Sequence, residues 1–139
     1  MGKDRITVQT KIKAPIQKVW EFYTEPKHIT KWNFASNDWC CPNAKNDLKK
    51  GGEFTLRMEA KDGSIGFDFT GKYEKVVPNE LISYNIADGR NVDVVFSKNE
   101  DGIHLKQTFD AEGTNSDEQQ KNGWQAILDN FKEYVNTEK

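Results

Sequence analysis

From Gly51 onward the chain adopts a two-residue hydrophobic period and keeps it through five successive segments. EFTLRMEA sets Phe54, Leu56 and Met58 on one side, with Glu53, Thr55, Arg57 and Glu59 on the other. GFDFTGKYEKVV aligns Phe67, Phe69, Gly71 and Tyr73. LISYNIA aligns Ile82, Tyr84 and Ile86, and NVDVVFSK aligns Val92, Val94 and Phe96. IHLKQTFD aligns Ile103, Leu105, Gln107 and Phe109. Strict alternation describes strands with one apolar face. The turn signals KDGS, PNE, DGR and NEDG separate them. Connections this short join antiparallel neighbours, so the spacing predicts a meander.

A sheet with one apolar face needs a cover. The last segment supplies one. Trp124, Ile127, Leu128, Phe131 and Val135 recur at helical spacing, and Asp129, Lys132 and Glu133 face away. Asn115 leads into Ser116, which forms a capping-box pattern with Gln119, and Asp117 and Glu118 suit the positive helix end. The helix is predicted from about Asp117 to Val135. Before the meander, ITVQTKIKA reads as a strand with Ile6, Val8, Thr10 and Ile12 on one face. Pro15 then opens a helix whose stripe is Ile16, Val19, Trp20 and Tyr23. Thr24-Glu25-Pro26 starts a second short helix ending near Trp32. The fold class expected is α+β: a curved antiparallel sheet wrapped around a long C-terminal helix, with two short helices after the first strand. Phe34 to Lys50, with Pro42 and several Asn and Asp, reads as a long polar connection into the sheet.

A chain of 139 residues is one ordinary domain, 1–139, and can bury about 70% of its unfolded surface without a staple. The net charge of −2 argues against a nucleic-acid partner. No apolar run is long enough for stable membrane insertion, and MGKDRITVQT lacks both a signal-peptide core and a myristoylation pattern. A cytoplasmic location is expected.

Cys40 and Cys41 are adjacent. Neighbouring Cα atoms lie ~3.8 Å apart, whereas ordinary disulfides span roughly 4.4–6.8 Å. A metal would have only His28 and His104 to add, at no ligand spacing, and a thiolate nucleophile would lack a basic neighbour. The expectation is one packed thiol, one near the surface, and no metal. There is no forced carboxylate pair, no Ser-His-Asp order and no phosphate loop, so neither a catalytic residue nor a cofactor is assigned. Gly51-Gly52 reads as backbone freedom for a sharp entry into the sheet.

Several motifs together resemble the START-related (SRPBCC) superfamily with its helix-grip fold. They are Ala14-Pro15 with Val19-Trp20, Glu25-Pro26 to Lys31-Trp32, and Gly51-Gly52 with Phe54. Gly71-Lys72-Tyr73 with Val77-Pro78 and Leu81 follow, then Gly123-Trp124 with Leu128 and Tyr134. More narrowly, the chain is similar to the branch named for the activator of the heat-shock-protein-ninety ATPase, many of whose bacterial members have no established activity. The resemblance implies a cavity between sheet and C-terminal helix that holds a hydrophobic small molecule. Other members are polyketide cyclase- or hydrolase-like enzymes, or co-chaperones of stress responses. A chaperone partner is not expected here, because the chain has no room for the further domain such regulators carry.

The candidate ligand contacts are Trp39, Met58, Phe69, Tyr73, Tyr84, Phe96, Gln107, Trp124 and Leu128. The apolar members read first as plain core and only second as ligand wall. Tyr73, Tyr84 and Gln107 share phase with apolar neighbours, so each must bond to protein, water or ligand. Trp39 is either a rim that touches ligand or an anchor for its own loop. An enzyme would need an acid or base in the cavity, and the inward faces offer only tyrosines. Ligand identity and oligomeric state stay open.

Overall fold

The computed structural model describes residues 5–34, 36–87, 89–100, 102–111 and 116–137. Asn115 of the expected capping region lies outside them. The order is β1 (Arg5–Ile12), α1 (Ile16–Thr24), α2 (Pro26–Trp32), β2 (Trp39–Asn46), β3 (Glu53–Ala60), β4 (Gly66–Val77), β5 (Leu81–Ile86), β6 (Asn91–Asn99), β7 (Gly102–Asp110) and α3 (Asp117–Thr137). One antiparallel sheet runs β1-β7-β6-β5-β4-β3-β2. It curls as a half-barrel around α3, the helix-grip arrangement expected of an α+β chain.

The predicted phases hold through the centre of the sheet. Ile82, Tyr84, Ile86, Val92, Val94, Phe96, Ile103, Leu105, Gln107 and Phe109 are all buried. From α3, Leu128, Phe131 and Val135 are buried against them. Trp124 stacks on Phe109 with ring centroids 4.0 Å apart and 14° between planes.

The segment expected as a loop contains a seventh strand, β2. It pairs with β3, and its register slips between Cys40 and Asn43. Pro42 lacks an N–H and falls within that irregularity on an edge strand, a position where the ladder tolerates proline. Gly51 sits at φ +83°, and a Cβ on Gly52 would lie 2.0 Å from the Asp47 carbonyl oxygen. The tight entry into β3 therefore depends on both glycines.

Helices cover both sheet edges. The side chain of Gln125 in α3 bonds the β1 backbone both ways: Gln9 N–H donates to Gln125 Oε1 at 3.3 Å, and Gln125 Nε2 donates to the Gln9 carbonyl at 3.1 Å. This occupies groups that an edge strand would otherwise offer to another chain. At the opposite edge α2 packs on β2. Asn130 Nδ2 ties α3 to the end of α2 by donating to the Trp32 carbonyl at 2.9 Å. Among the described residues no helix is long and apolar enough to cross a membrane.

Candidate functional site

The concave sheet face, α3 and the α1–α2 corner enclose a cavity of about 380 Å³. That is within the roughly 300–1,000 Å³ common for small-molecule sites. Met58, Phe69, Tyr73, Tyr84, Gln107 and Trp124 line it, six of the nine expected residues. The other three lie elsewhere. Phe96 is in the core beneath Trp20 and Tyr23, with centroids at 5.2 and 5.5 Å. Leu128 is 1% exposed and packed within the core. Both have the inward phase, but neighbouring rings and chain fill the space in front of them. Trp39 begins β2 and meets the ring of Phe67, a wall residue, at 6.0 Å. It stands behind the cavity mouth rather than on the wall. Phe67 also has the inward phase, yet it is 48% exposed at the hairpin end of β4. With exposed Gln119 it marks where the cavity meets solvent.

The polar wall is more specific. Tyr73 O–H donates to Asn46 Oδ1, and Asn46 Nδ2 donates to the Thr24 carbonyl at 2.6 Å. Gln107 Nε2 donates to the Tyr23 hydroxyl. These pairs explain how buried Tyr73 and Gln107 are satisfied. The Tyr84 hydroxyl has no protein partner among the described residues, although Tyr84 is 8% exposed. Burial pushes the Tyr23, Tyr73 and Tyr84 phenols above their ordinary range. For Tyr84 the neighbouring Tyr23 and Tyr73 add to this, and Arg90 opposes it. All three therefore remain protonated donors near neutral pH.

Sequence reasoning passed over Tyr23, Asn33, Asn46 and Arg90, which also line the cavity. Arg90 was legible: it precedes Val92, Val94 and Phe96 at steps of two, so it shares their inward phase. Its place in the DGR turn hid it. Asn33 and Asn46 carried no periodic signal, because one follows α2 and the other ends the unforeseen strand.

The cysteines divide as expected. Cys41 is buried and Cys40 half-buried, and both are free thiols. Burial raises the Cys41 thiol, the opposite of an activated nucleophile. Among the described residues no three His, Cys, Asp or Glu gather as metal ligands. His104 Nε2 lies 2.7 Å from Gln9 Oε1, away from the cavity. Arg57 pairs with Glu59 at 2.8 Å and Asp68 at 3.5 Å across the outer face, as surface charges of this kind commonly do.

An antiparallel sheet gripping a long helix, with a ligand-sized cavity between them, defines a START-like scaffold of the general ligand-binding type. Residues 13–136 match the family described as Activator of Hsp90 ATPase homolog 1-like protein, and the chain belongs to that family. It is 44% identical to an AHSA1-like protein from Aeromonas hydrophila, with a TM-score of 0.91 over 96% of this chain and 92% of that one. It is 50% identical to Chr148 from Cytophaga hutchinsonii, with a TM-score of 0.80 over 96% and 91%. Protein NE0264 from Nitrosomonas europaea, 18% identical with a TM-score of 0.80 over 95% and 94%, shares the fold. No curated protein matches the chain.

Proposed function

We propose that the chain is a single START-like domain, residues 1–139, that binds a small hydrophobic or aromatic molecule between the sheet and α3. The observation that carries this reading is the cavity itself: about 380 Å³, walled by aromatic rings and a few convergent polar groups. Met58, Phe69, Tyr73, Tyr84, Gln107 and Trp124 make the contacts. Phe96 and Leu128 support them from behind, and Trp39 steadies the mouth through Phe67. A cytoplasmic location belongs to the same reading and is in keeping with two free thiols. An enzymatic reading draws no specific support from the wall. Its titratable groups among the described residues are tyrosines and Arg90, with no carboxylate or histidine to move a proton near neutral pH.

Gly123 lies on the wall within α3, and a Cβ added there would meet nothing within 4 Å. A glycine inside a helix costs roughly 0.5–1 kcal/mol relative to alanine. Here it leaves space open at the cavity. The test is titration with the neutral fluorophore N-phenyl-1-naphthylamine. The unaltered protein is expected to bind one equivalent saturably. Gly123→Leu, which narrows the cavity, is expected to abolish binding without lowering the melting temperature. Equal binding by both proteins would refute the assignment.

A further inference from the structure

Resting on the cavity reading above, one unused donor on the wall narrows the class of ligand. Tyr23, Tyr73 and Tyr84 all line the cavity, and two of these phenols are engaged. Tyr73 O–H donates to Asn46 Oδ1, and Tyr23 is paired with Gln107. The Tyr84 hydroxyl has no hydrogen-bond partner among the described residues, and no carboxylate on the described wall could accept from it. Tyr84 is nonetheless only 8% exposed. Among the described residues, no side-chain nitrogen or oxygen is both fully enclosed and unpartnered. The Tyr84 oxygen therefore borders open space, and the space that Tyr84 lines is the cavity. Its ring is held from both sides. Tyr84 stands opposite Tyr73 of β4 and Val92 of β6 in the ladder. The rings of Phe54 and Tyr73 flank it at 5.0 and 6.1 Å, at 87° and 82°. A side chain packed in this way does not swing out to a distant acceptor. A buried donor left without an acceptor is costly, whereas a donor facing a ligand site discriminates between ligands that can accept from it and those that cannot.

We propose that the cavity takes an apolar ring compound bearing a carbonyl oxygen, with that oxygen accepting from the Tyr84 hydroxyl and the rings against Phe54, Phe69 and Trp124. A phenol is an uncharged donor, so it requires an acceptor rather than a counter-ion. A carbonyl oxygen supplies that acceptor and leaves the rest of the ligand free to be apolar. A hydrocarbon of the same outline would fill the space and leave the donor unused.

The experiment compares 9-fluorenone with fluorene, which share a ring system and differ at the carbonyl. Affinities are read by displacement of N-phenyl-1-naphthylamine from the unaltered protein and from Tyr84→Phe. The substitution is expected to weaken 9-fluorenone about three- to tenfold while leaving fluorene within about twofold. The melting temperature is expected to hold, because no protein hydrogen bond ends at the oxygen removed. A second readout is the carbonyl ¹³C signal of labelled 9-fluorenone. Hydrogen bonding moves it downfield in the unaltered protein, and in Tyr84→Phe it returns toward its position in an aprotic solvent. The assignment is overturned if Tyr84→Phe weakens both compounds alike or neither, or if the carbonyl signal is the same in the two proteins, as it would be were the hydroxyl satisfied by water alone. A marked fall in melting temperature would show that the hydroxyl serves the fold and would overturn it too. Binding of both compounds without dependence on Tyr84 removes this inference and leaves the cavity reading standing. Binding of neither compound nor of N-phenyl-1-naphthylamine to the unaltered protein overturns both.

Discussion

Asn33 turns its side-chain amide toward two sulfur atoms, Met58 Sδ at 3.3 Å and Cys41 Sγ at 4.0 Å. Sulfur is a weak acceptor, so this amide group is held loosely beside the cavity it helps to line. The Cys41 thiol in turn donates to the Asn43 carbonyl at 3.6 Å, across the irregular step of β2. Cys41 is thus a packed residue in a local polar arrangement, and its neighbour Cys40 is the accessible thiol. Burial and a raised thiol both slow attack on disulfide reagents. With Ellman's reagent, one thiol per chain is therefore expected to react in the native protein and the second only after denaturation. Rapid reaction of both thiols at native pH would contradict this placement.

At the scale of elements, α3 starts with a reciprocal cap. Gln119 N–H donates to Ser116 Oγ at 3.1 Å, and Ser116 N–H donates to Gln119 Oε1 at 3.2 Å. Ser116→Ala is expected to cost about 1 kcal/mol, read as a lower urea midpoint with unchanged slope. An unchanged midpoint would mean that packing alone holds the helix start. This cap was legible in sequence, as were α3, the meander and the buried faces of β5, β6 and β7. All rest on local periodicity or fixed spacing, which a single segment displays by itself. β2 was not legible, because its partner β3 and its edge position decide whether WCCPNAKN pairs, and neither is visible within those eight residues. The wall was legible only in part for a related reason. Phase tells which face a side chain occupies, but not whether a ring or a void lies in front of it. Phe96 and Tyr84 have equal claims by phase, yet Trp20 and Tyr23 cover Phe96 while Tyr84 lines the cavity.

For the whole molecule, the aromatic interior links stability to alkaline pH. Tyr23, Tyr73 and Tyr84 have folded values raised above their unfolded values, chiefly by burial. Their contribution is complete below the unfolded phenol value of about 10 and is lost as pH rises through the folded values. Stability should therefore fall above about pH 10, with tyrosinate absorbance from these three residues appearing together with unfolding. Ionisation of all the tyrosines ahead of loss of the fold would show that the phenols are solvated.

The molecule is a sheet closed by a helix around a space left unfilled, and the central claim is that a ligand occupies that space. Met58 reports on it directly, because it lines the cavity and the chain has only two methionines. Methyl-¹³C-methionine NMR during titration with N-phenyl-1-naphthylamine should show the Met58 signal move saturably, with the same midpoint as the fluorescence. A Met58 signal that stays fixed while the probe binds would place the ligand elsewhere and contradict the account.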